Sequence, residues 1–364
     1  VIAGKAKSRG RFSRLLLPAK IESGKNMMAT PFRIGLYGCG NRTVQILQNA
    51  LANGRAKVTR CYDLDPKKAE QLATKYGAKA CSKAELLNAE DVDMYLIALF
   101  PAAHPDALLE TLPSGKPIYI EKPICTFLHD VRRLLPVLNK GYVHVGLLYD
   151  YIPVFRQLNN LLQQGKIGEL LAINFNWMDD GFTQKKSPLE LTNWRFQPET
   201  GGELTQHYCH CFDWFRKLSG DFKSIAAVSV KFHDNMTCME DIWDIILTQK
   251  NGQQISMHAS MRNPRFTVKG YLEGTAGSLE YEWNDPSSIT FFPAGCGKTP
   301  GTPIPVETQI PDALEEFIER FQAGKKPLVS LADGIWSILP PIYARQAALS
   351  GNTQHFPNAL QELL

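Results

Sequence analysis

Phe32-Arg33-Ile34-Gly35-Leu36-Tyr37-Gly38-Cys39-Gly40-Asn41-Arg42-Thr43 decides the fold class of this 364-residue chain. The first six residues read as a short apolar strand. Gly38 and Gly40 make a Gly-x-Gly turn, and Val44, Leu47, Ala50 and Leu51 follow at helical spacing. Strand, glycine turn and helix in this order let a backbone approach a phosphate. Gly38 permits the tight turn, Gly40 removes a side chain from the approach, and the N–H groups and dipole at the helix start favour an anion. Cys39, Asn41 and Arg42 fall inside the same turn. Thr43 stands where a third glycine or alanine is usual, so the turn by itself leaves a plain strand-to-helix connection open.

Outward from the turn the pattern repeats. Lys57–Tyr62 reads as a second strand and ends at Asp63, about 20 residues beyond the glycines. A carboxylate there accepts hydrogen bonds from ribose hydroxyls and repels a 2′-phosphate, which predicts NAD rather than NADP. Asp65 is placed to cap a helix opened by Pro66 and stopped at Gly77. Asp91–Ala98, Ile118–Ile120 and Tyr142–Leu148 read as further strands, with a helix over Pro105–Leu112. Strands alternating with helices predict a doubly wound α/β parallel sheet, and ligands lie at the carboxyl ends of its strands. That places Gly38, Asp63, Pro101 and Lys122 along one edge.

From about Leu147 the alternation ends. A helix is read over Val154–Gln164, and strands over Leu171–Trp177, Ile225–Phe232, Asp241–Gln249, Gln254–Met261, Thr267–Glu273 and Ser278–Trp283. Helices are read over Asp312–Phe321 and Leu331–Leu349, and the Gly- and Pro-rich stretch Ala294–Pro305 as a surface loop. Consecutive strands with short turns predict an α+β domain with a large, mostly antiparallel sheet, one face open. The domains are accordingly read as a Rossmann domain over 31–147 and a substrate-binding and oligomerisation domain over 148–364, after an extension over 1–30.

The chain is 44% hydrophobic and 21% charged, as in ordinary globular proteins, and no apolar run approaches the roughly 18 residues of a membrane span. Its net charge of +4 is uneven. Lys5, Lys7, Arg9, Arg11, Arg14, Lys20 and Lys25 face only Glu22, so the head alone carries a surplus of +6 and the remainder about −2. Such a body offers no phosphate-binding stripe, and nucleic acid is excluded as a partner. The head precedes Met27–Met28 and is expected to lie outside the fold, as an upstream extension or an organelle presequence. The eight cysteines contain no C-x-x-C pair, which fits a reducing, cytoplasmic setting.

Further marks follow in order. They are Phe100-Pro101-Ala102-Ala103-His104, Gly115-Lys116-Pro117 leading into Glu121-Lys122-Pro123, and Gly165-Lys166-Ile167-Gly168-Glu169. Then come Trp194-Arg195, Gly201-Gly202-Glu203-Leu204-Thr205-Gln206-His207-Tyr208-Cys209-His210-Cys211-Phe212-Asp213, Glu273-Gly274-Thr275-Ala276-Gly277, and Pro327 followed by Asp333-Gly334. With these, Phe32 to Gly351 resembles the Gfo/Idh/MocA oxidoreductases (glucose–fructose oxidoreductase, inositol dehydrogenase and their relatives). The resemblance implies NAD as cofactor, held by Gly38, Cys39, Gly40, Asn41, Arg42, Asp63, Pro101, His104, Glu121 and Lys122. It implies that Lys122 reaches a substrate hydroxyl beside the nicotinamide, and that His210 is the histidine of an Asp-x-x-x-His pair. The family's aspartate falls on Gln206, and an Arg-Arg or His-Arg pair after Val145-Gly146 is replaced by Tyr149-Asp150. Trp177, Asp179, Asp180, Trp194 and Arg195 lie where family members build the substrate pocket. The open sheet face implies a homodimer or homotetramer.

Oxidising a secondary alcohol needs hydride transfer and removal of the hydroxyl proton. His210 suits the proton acceptor because imidazole titrates near neutral pH. Lys122 suits proton relay or stabilisation of a developing alkoxide. Gln206, four residues before His210, shares its face if one helix carries both; it can bond a substrate hydroxyl but cannot take a proton. Structural alternatives stand beside each role: a solvated strand-end lysine, a buried satisfied histidine, core or interface tryptophans. Zinc at His207–Cys211 is not expected, since helical neighbours one and two apart do not converge. The expected function is NAD-dependent oxidation or reduction at a secondary hydroxyl of a sugar, sugar derivative or cyclic polyol. The alternatives are an NAD-retaining, redox-assisted glycosidase of the same fold and a non-catalytic NAD-binding regulator.

Overall fold

A computed structural model describes residues 30–179, 200–231, 240–284 and 286–364. The first half alternates as expected. Strands β1 (Phe32–Tyr37), β2 (Ala56–Tyr62), β3 (Lys79–Ala80), β4 (Met94–Ile97), β5 (Ile118–Ile120) and β6 (Val143–Val145) are linked by helices α1 (Asn41–Ala52), α2 (Pro66–Tyr76), α3 (Lys83–Leu87), α4 (His104–Thr111) and α5 (Leu128–Leu134). All six strands are parallel, in the order β3-β2-β1-β4-β5-β6. The order reverses between β1 and β4, which opens a crevice at their carboxyl ends. Asp65 caps α2 through the Lys67 N–H, and Gly77 ends it in the left-handed conformation. On α1 the buried stripe is Thr43, Ile46, Leu47 and Ala50, with Val44 and Leu51 half-buried at its margin.

Two short elements escape the sequence pattern. β3 has two residues and α5 carries no side-chain cap. α3, by contrast, opens with a complete Ser82/Glu85 capping box, a signal written in the sequence.

The second half contains α6 (Pro153–Gln163), β7 (Leu170–Met178), α7 (Gly202–Gln206), α8 (Cys209–Ser219), β8 (Phe222–Val230), β9 (Ile242–Gln249), β10 (Gln254–Ser260), β11 (Thr267–Gly274), β12 (Gly277–Trp283), β13 (Ser288–Pro293), β14 (Thr302–Ile304), α9 (Ala313–Gln322), α10 (Leu331–Ser350) and β15 (Gln354–His355). Its nine strands run β14-β13-β12-β11-β7-β10-β9-β8-β15, antiparallel except for the β7–β10 pair. β14 lies inside the stretch read as a loop: Phe291 and Thr302 are paired, so residues 294–301 turn a hairpin rather than cross the surface as coil.

The two faces of this sheet differ. On β9, Trp243, Ile245 and Leu247 point inward while Ile246 is 55% exposed. Phe175 meets Phe215 at 5.2 Å and Phe155 meets Trp214 at 4.9 Å, so α6 and α8 cover the inner face with aromatic edges. Leu171, Val228, Val230, Ile246 and Tyr271 stay exposed. The chain also returns to the parallel sheet from beyond residue 147. α9 inserts Leu314, Phe317 and Ile318 into the core formed by Ile34, Leu36, Leu47 and Leu96, and Phe317 lies 5.7 Å from Tyr119. Val145, on edge strand β6, donates its N–H to the Val329 carbonyl at 3.0 Å. Among the described residues, no helix is long and apolar enough to cross a membrane.

Candidate functional site

At the end of β1, Gly38 has φ +105°, and a Cβ there would sit 2.3 Å from the Ala98 carbonyl oxygen on β4's exit. Only glycine fits this turn. Gly40 is different: it has an ordinary extended conformation, and a Cβ built on it meets nothing within 4 Å. Its missing side chain is needed by nothing inside the protein and leaves space in front of α1. Among the described residues no side chain caps α1, and no acidic residue occupies its first turn. The helix start is therefore an open, positively polarised cradle of N–H groups, which suits a pyrophosphate. Thr43, the departure from a third glycine, is fully buried and donates its hydroxyl to the Gly38 carbonyl at 2.8 Å, fastening the turn from below.

Asp63, at the end of β2, faces the same turn. Its carboxylate accepts the Cys39 N–H at 2.7 Å and the Asp65 N–H at 2.9 Å. Two backbone donors hold a charged acceptor at the strand end while lone pairs remain for ribose hydroxyls. The residues fit a dinucleotide: Gly38–Arg42 would hold its pyrophosphate and Asp63 its adenosine ribose.

Arg42 reaches across from α1 to the end of β5, where its Nε donates to Glu121 at 2.9 Å. The Glu121 side chain is only 6% exposed. Removing Arg42 would leave a nearly buried carboxylate without its partner, which is costly. Glu121 also packs against Gly146: a Cβ at Gly146 would lie 2.9 Å from its Oε1. Arg42 and Glu121, both expected to bind cofactor, thus first bind each other and tie the phosphate turn to the strand that carries Lys122.

Lys122 precedes Pro123 through a cis peptide bond. Its ammonium donates to the main-chain carbonyl of Gln206 at 2.6 Å. His104 supports this strand end from behind. It is fully buried, donates from Nδ1 to the Pro123 carbonyl at 2.7 Å and accepts the Leu99 N–H at Nε2. Both its nitrogens are engaged by backbone, which ties the Lys122-Pro123 turn to the exit of β4 at Leu99. Burial holds its pKa below the usual histidine value.

Gln206 and His210 do not share one helix. α7 ends at Gln206 and α8 starts at Cys209, and the Gln206 carbonyl at the break accepts from Lys122. The Gln206 side chain is buried and donates its amide to the Thr200 carbonyl at 2.6 Å. His210, in the first turn of α8, accepts the Leu148 N–H at Nδ1 over 3.1 Å and lies parallel to the Tyr149 ring at 5.8 Å. Burial first, then the charges of Lys122, His207 and Arg42, hold its pKa well below the usual value. Tyr149 is itself braced by a 3.1 Å contact between its hydroxyl and Cys211. Its neighbour Asp150 pairs with Lys217, which also bonds Asp213 at 2.8 Å. Tyr149-Asp150 therefore does the packing and pairing that join β6's exit to α8.

Trp177 sits in an aromatic cluster with Tyr208, Phe266 and Trp283, at 5.6 to 5.9 Å between ring centres, and reads as core. Tyr208 is buried with its hydroxyl on Met261 Sδ. Asp179 is buried at the end of β7, its main chain bonded to Ser260 and Asn263. Asp180, Trp194 and Arg195 lie outside the described residues. The sequence reading missed Leu148, Tyr149 and Thr200 as supports of the site. Only Tyr149 had a signal, as a departure from the expected Arg-Arg.

Comparison with known proteins supports the same assignment. Residues 32–147 match the pattern described as "Oxidoreductase family, NAD-binding Rossmann fold", and residues 155–280 match the GFO/IDH/MocA C-terminal domain. An inositol 2-dehydrogenase of Rhizobium meliloti (strain 1021) is 25% identical over 318 residues, 83% of this chain and 92% of that one. Two solved structures share the fold. An oxidoreductase domain protein from Kribbella flavida has a TM-score of 0.79 at 17% identity, covering 91% of this chain and 100% of its own. A levoglucosan dehydrogenase in complex with NADH has a TM-score of 0.79 at 18% identity, covering 90% and 100%. Together with the glycine turn, Asp63 and the Glu121-Lys122-Pro123 strand end, the matches to both halves establish that the chain belongs to the Gfo/Idh/MocA oxidoreductases and has their NAD-binding Rossmann fold.

Proposed function

We propose that this protein is an NAD-dependent dehydrogenase acting on a secondary hydroxyl of a sugar, sugar derivative or cyclic polyol. The observation that carries the proposal is Lys122, tied by its ammonium to Gln206 at the same sheet edge as the phosphate cradle. The names of the relatives, inositol 2-dehydrogenase and levoglucosan dehydrogenase, support a polyhydroxylated substrate. Bound NAD(H) would accept or supply the hydride. The chain's own residues orient the substrate oxygen between Lys122 and His210, and Lys122 exchanges its proton. The Gln206 side chain is occupied by Thr200, so substrate selection beyond these two groups falls to other residues. The exposed face of the nine-stranded sheet is the proposed surface for a homodimer or homotetramer.

Purified protein is expected to reduce NAD with some member of a panel of inositols, aldoses and anhydrosugars. No NADH formation with any of them, in the presence of measurable NADH binding, would favour a binding protein. Sugar release without a net change in NADH would favour redox-assisted glycoside cleavage.

A further inference from the structure

The hydrogen bond between Leu148 and His210 decides what the histidine can do. A backbone N–H can only donate, so Nδ1 of His210 must be the accepting nitrogen and carries no proton. A neutral imidazole has one ring proton, which then resides on Nε2. Taking a second proton would require both nitrogens to carry hydrogen, with Nδ1–H pointing at the Leu148 N–H. We propose that His210 serves as a neutral Nε2–H hydrogen-bond donor to the substrate oxygen, and that no proton changes hands at its ring. This inference rests on the dehydrogenase reading above and replaces the proton-acceptor role read from sequence.

The surroundings hold His210 in that form. Leu148 lies in a segment with little freedom: Gly146 donates to Ile120 at 2.8 Å, Leu147 to Val145 at 2.7 Å, and the Leu148 carbonyl accepts from Tyr151 at 2.8 Å. The parallel Tyr149 ring limits rotation of the imidazole. The charged groups that face it are Lys122 from the end of β5, Arg42 from α1 and His207 from the turn before α8. Glu121, at the end of β5, is paired with Arg42, and Asp213, on α8, with Lys217. Gln206, where an aspartate would favour the imidazolium, is uncharged. The fixed Leu148 donor, the burial and the neighbouring positive charges oppose a positive ring.

The proton leaving the hydroxyl during oxidation therefore passes by way of the Lys122 nitrogen, which hands one of its own protons to solvent as it takes up the substrate's. The Nε2–H of His210 shortens its bond to the same oxygen as negative charge develops there. A donor poised in this way contributes without reorganising at the moment of reaction.

Two measurements test the role. In [15N]histidine-labelled protein with NADH bound, two-bond nitrogen–proton correlations report the ring's state, assigned through contacts with the Tyr149 ring. The expected result is a protonated Nε2 and an unprotonated Nδ1, unchanged between about pH 5 and 8. An Nδ1–H tautomer, or an imidazolium forming in that range, would overturn the proposal whether or not a substrate has been found. The second compares His210→Gln, which keeps a neutral N–H donor of similar reach, with His210→Ala. Turnover is expected to fall by less than about tenfold in the first and by about a hundredfold in the second. Equal losses in both would show that the ring's ability to take a proton matters, and the donor role would be abandoned.

Discussion

The phosphate cradle and the Lys122–His210 centre are built on opposite plans. The cradle is local: one turn supplies Gly38, Cys39, Gly40, Arg42 and Thr43, and the Cys39–Asp63 bond spans 24 residues. The proposed reactive centre is assembled at long range, from Lys122 to Gln206 across 84 residues and from Leu148 to His210 across 62. The cradle's chemistry depends on backbone shape, which glycines and a strand-end acid announce. The centre's chemistry depends on which nitrogen meets which backbone group, and that exists only in the folded chain. Binding and reaction should therefore separate under mutation.

Lys122→Ala applies the hardest test. It is expected to lower kcat/KM by about 10³, within the usual range for a lost proton-transfer group. NADH affinity, followed by fluorescence titration, should change by no more than about threefold. Parallel loss of both would merge the two regions into one.

Within the cradle, the two glycines should behave differently. Gly38→Ala forces a Cβ into the Ala98 carbonyl at a positive φ, and should destabilise the protein by about 3 kcal/mol in urea unfolding. Gly40→Ala should leave stability within about 0.5 kcal/mol. It should nevertheless raise the NADH Kd by about tenfold, because the methyl enters the space in front of α1. Normal NADH binding by the Gly40 variant would show that the open space is not the pyrophosphate's.

His144 on β6 is buried with no partner on either ring nitrogen among the described residues, stacked on Tyr119 at 5.0 Å. Burial, aided by Lys217 and Arg320, pushes its pKa down to about 3. Its folded value is depressed, so the unfolded chain takes the proton first, and stability present above pH 6.5 is lost as pH falls toward 3. That loss should reach about 2 kcal/mol by about pH 5. In a His144→Phe variant the fall in urea midpoint over this range should shrink by a corresponding amount. An unchanged acid profile would show that the ring is already satisfied or solvated.

The smallest effect belongs to Asp63. The native protein should bind NADH at least about tenfold more tightly than NADPH, a difference of about 1.4 kcal/mol. Asp63→Ala should narrow or erase that gap and leave Lys122-dependent turnover in place. Equal affinities in the native protein would mean that Lys67 and Lys68, on the following helix, offset the carboxylate.

These contrasts also explain what could be read before the structure was known. β1, β2, β4, α1 and α2 announce themselves through apolar period, Gly38, Asp65-Pro66 and Gly77, all within a few residues of what they control. Lys122 and His210 were legible as residues through the family resemblance. His210's tautomer was not, because it depends on the Leu148 N–H, and every residue has such a group. The break between Gln206 and His210 was hidden in the same way: the Gln206 carbonyl meets the Lys122 ammonium there, a partner no helical spacing reveals. Thr43 looked like a defect in the glycine pattern until its hydroxyl was seen to fasten the Gly38 carbonyl.

The Val145–Val329 hydrogen bond has a consequence for assembly. Parallel sheets end in strands whose unpaired backbone groups can template a neighbouring chain. Here one outermost strand, β3, is only two residues long. The other, β6, has three residues, and its Val145 donor is already occupied by the segment leading into α10. Neither border offers a ladder for a stranger to extend. The nucleotide-binding half is thereby insulated from strand-by-strand aggregation.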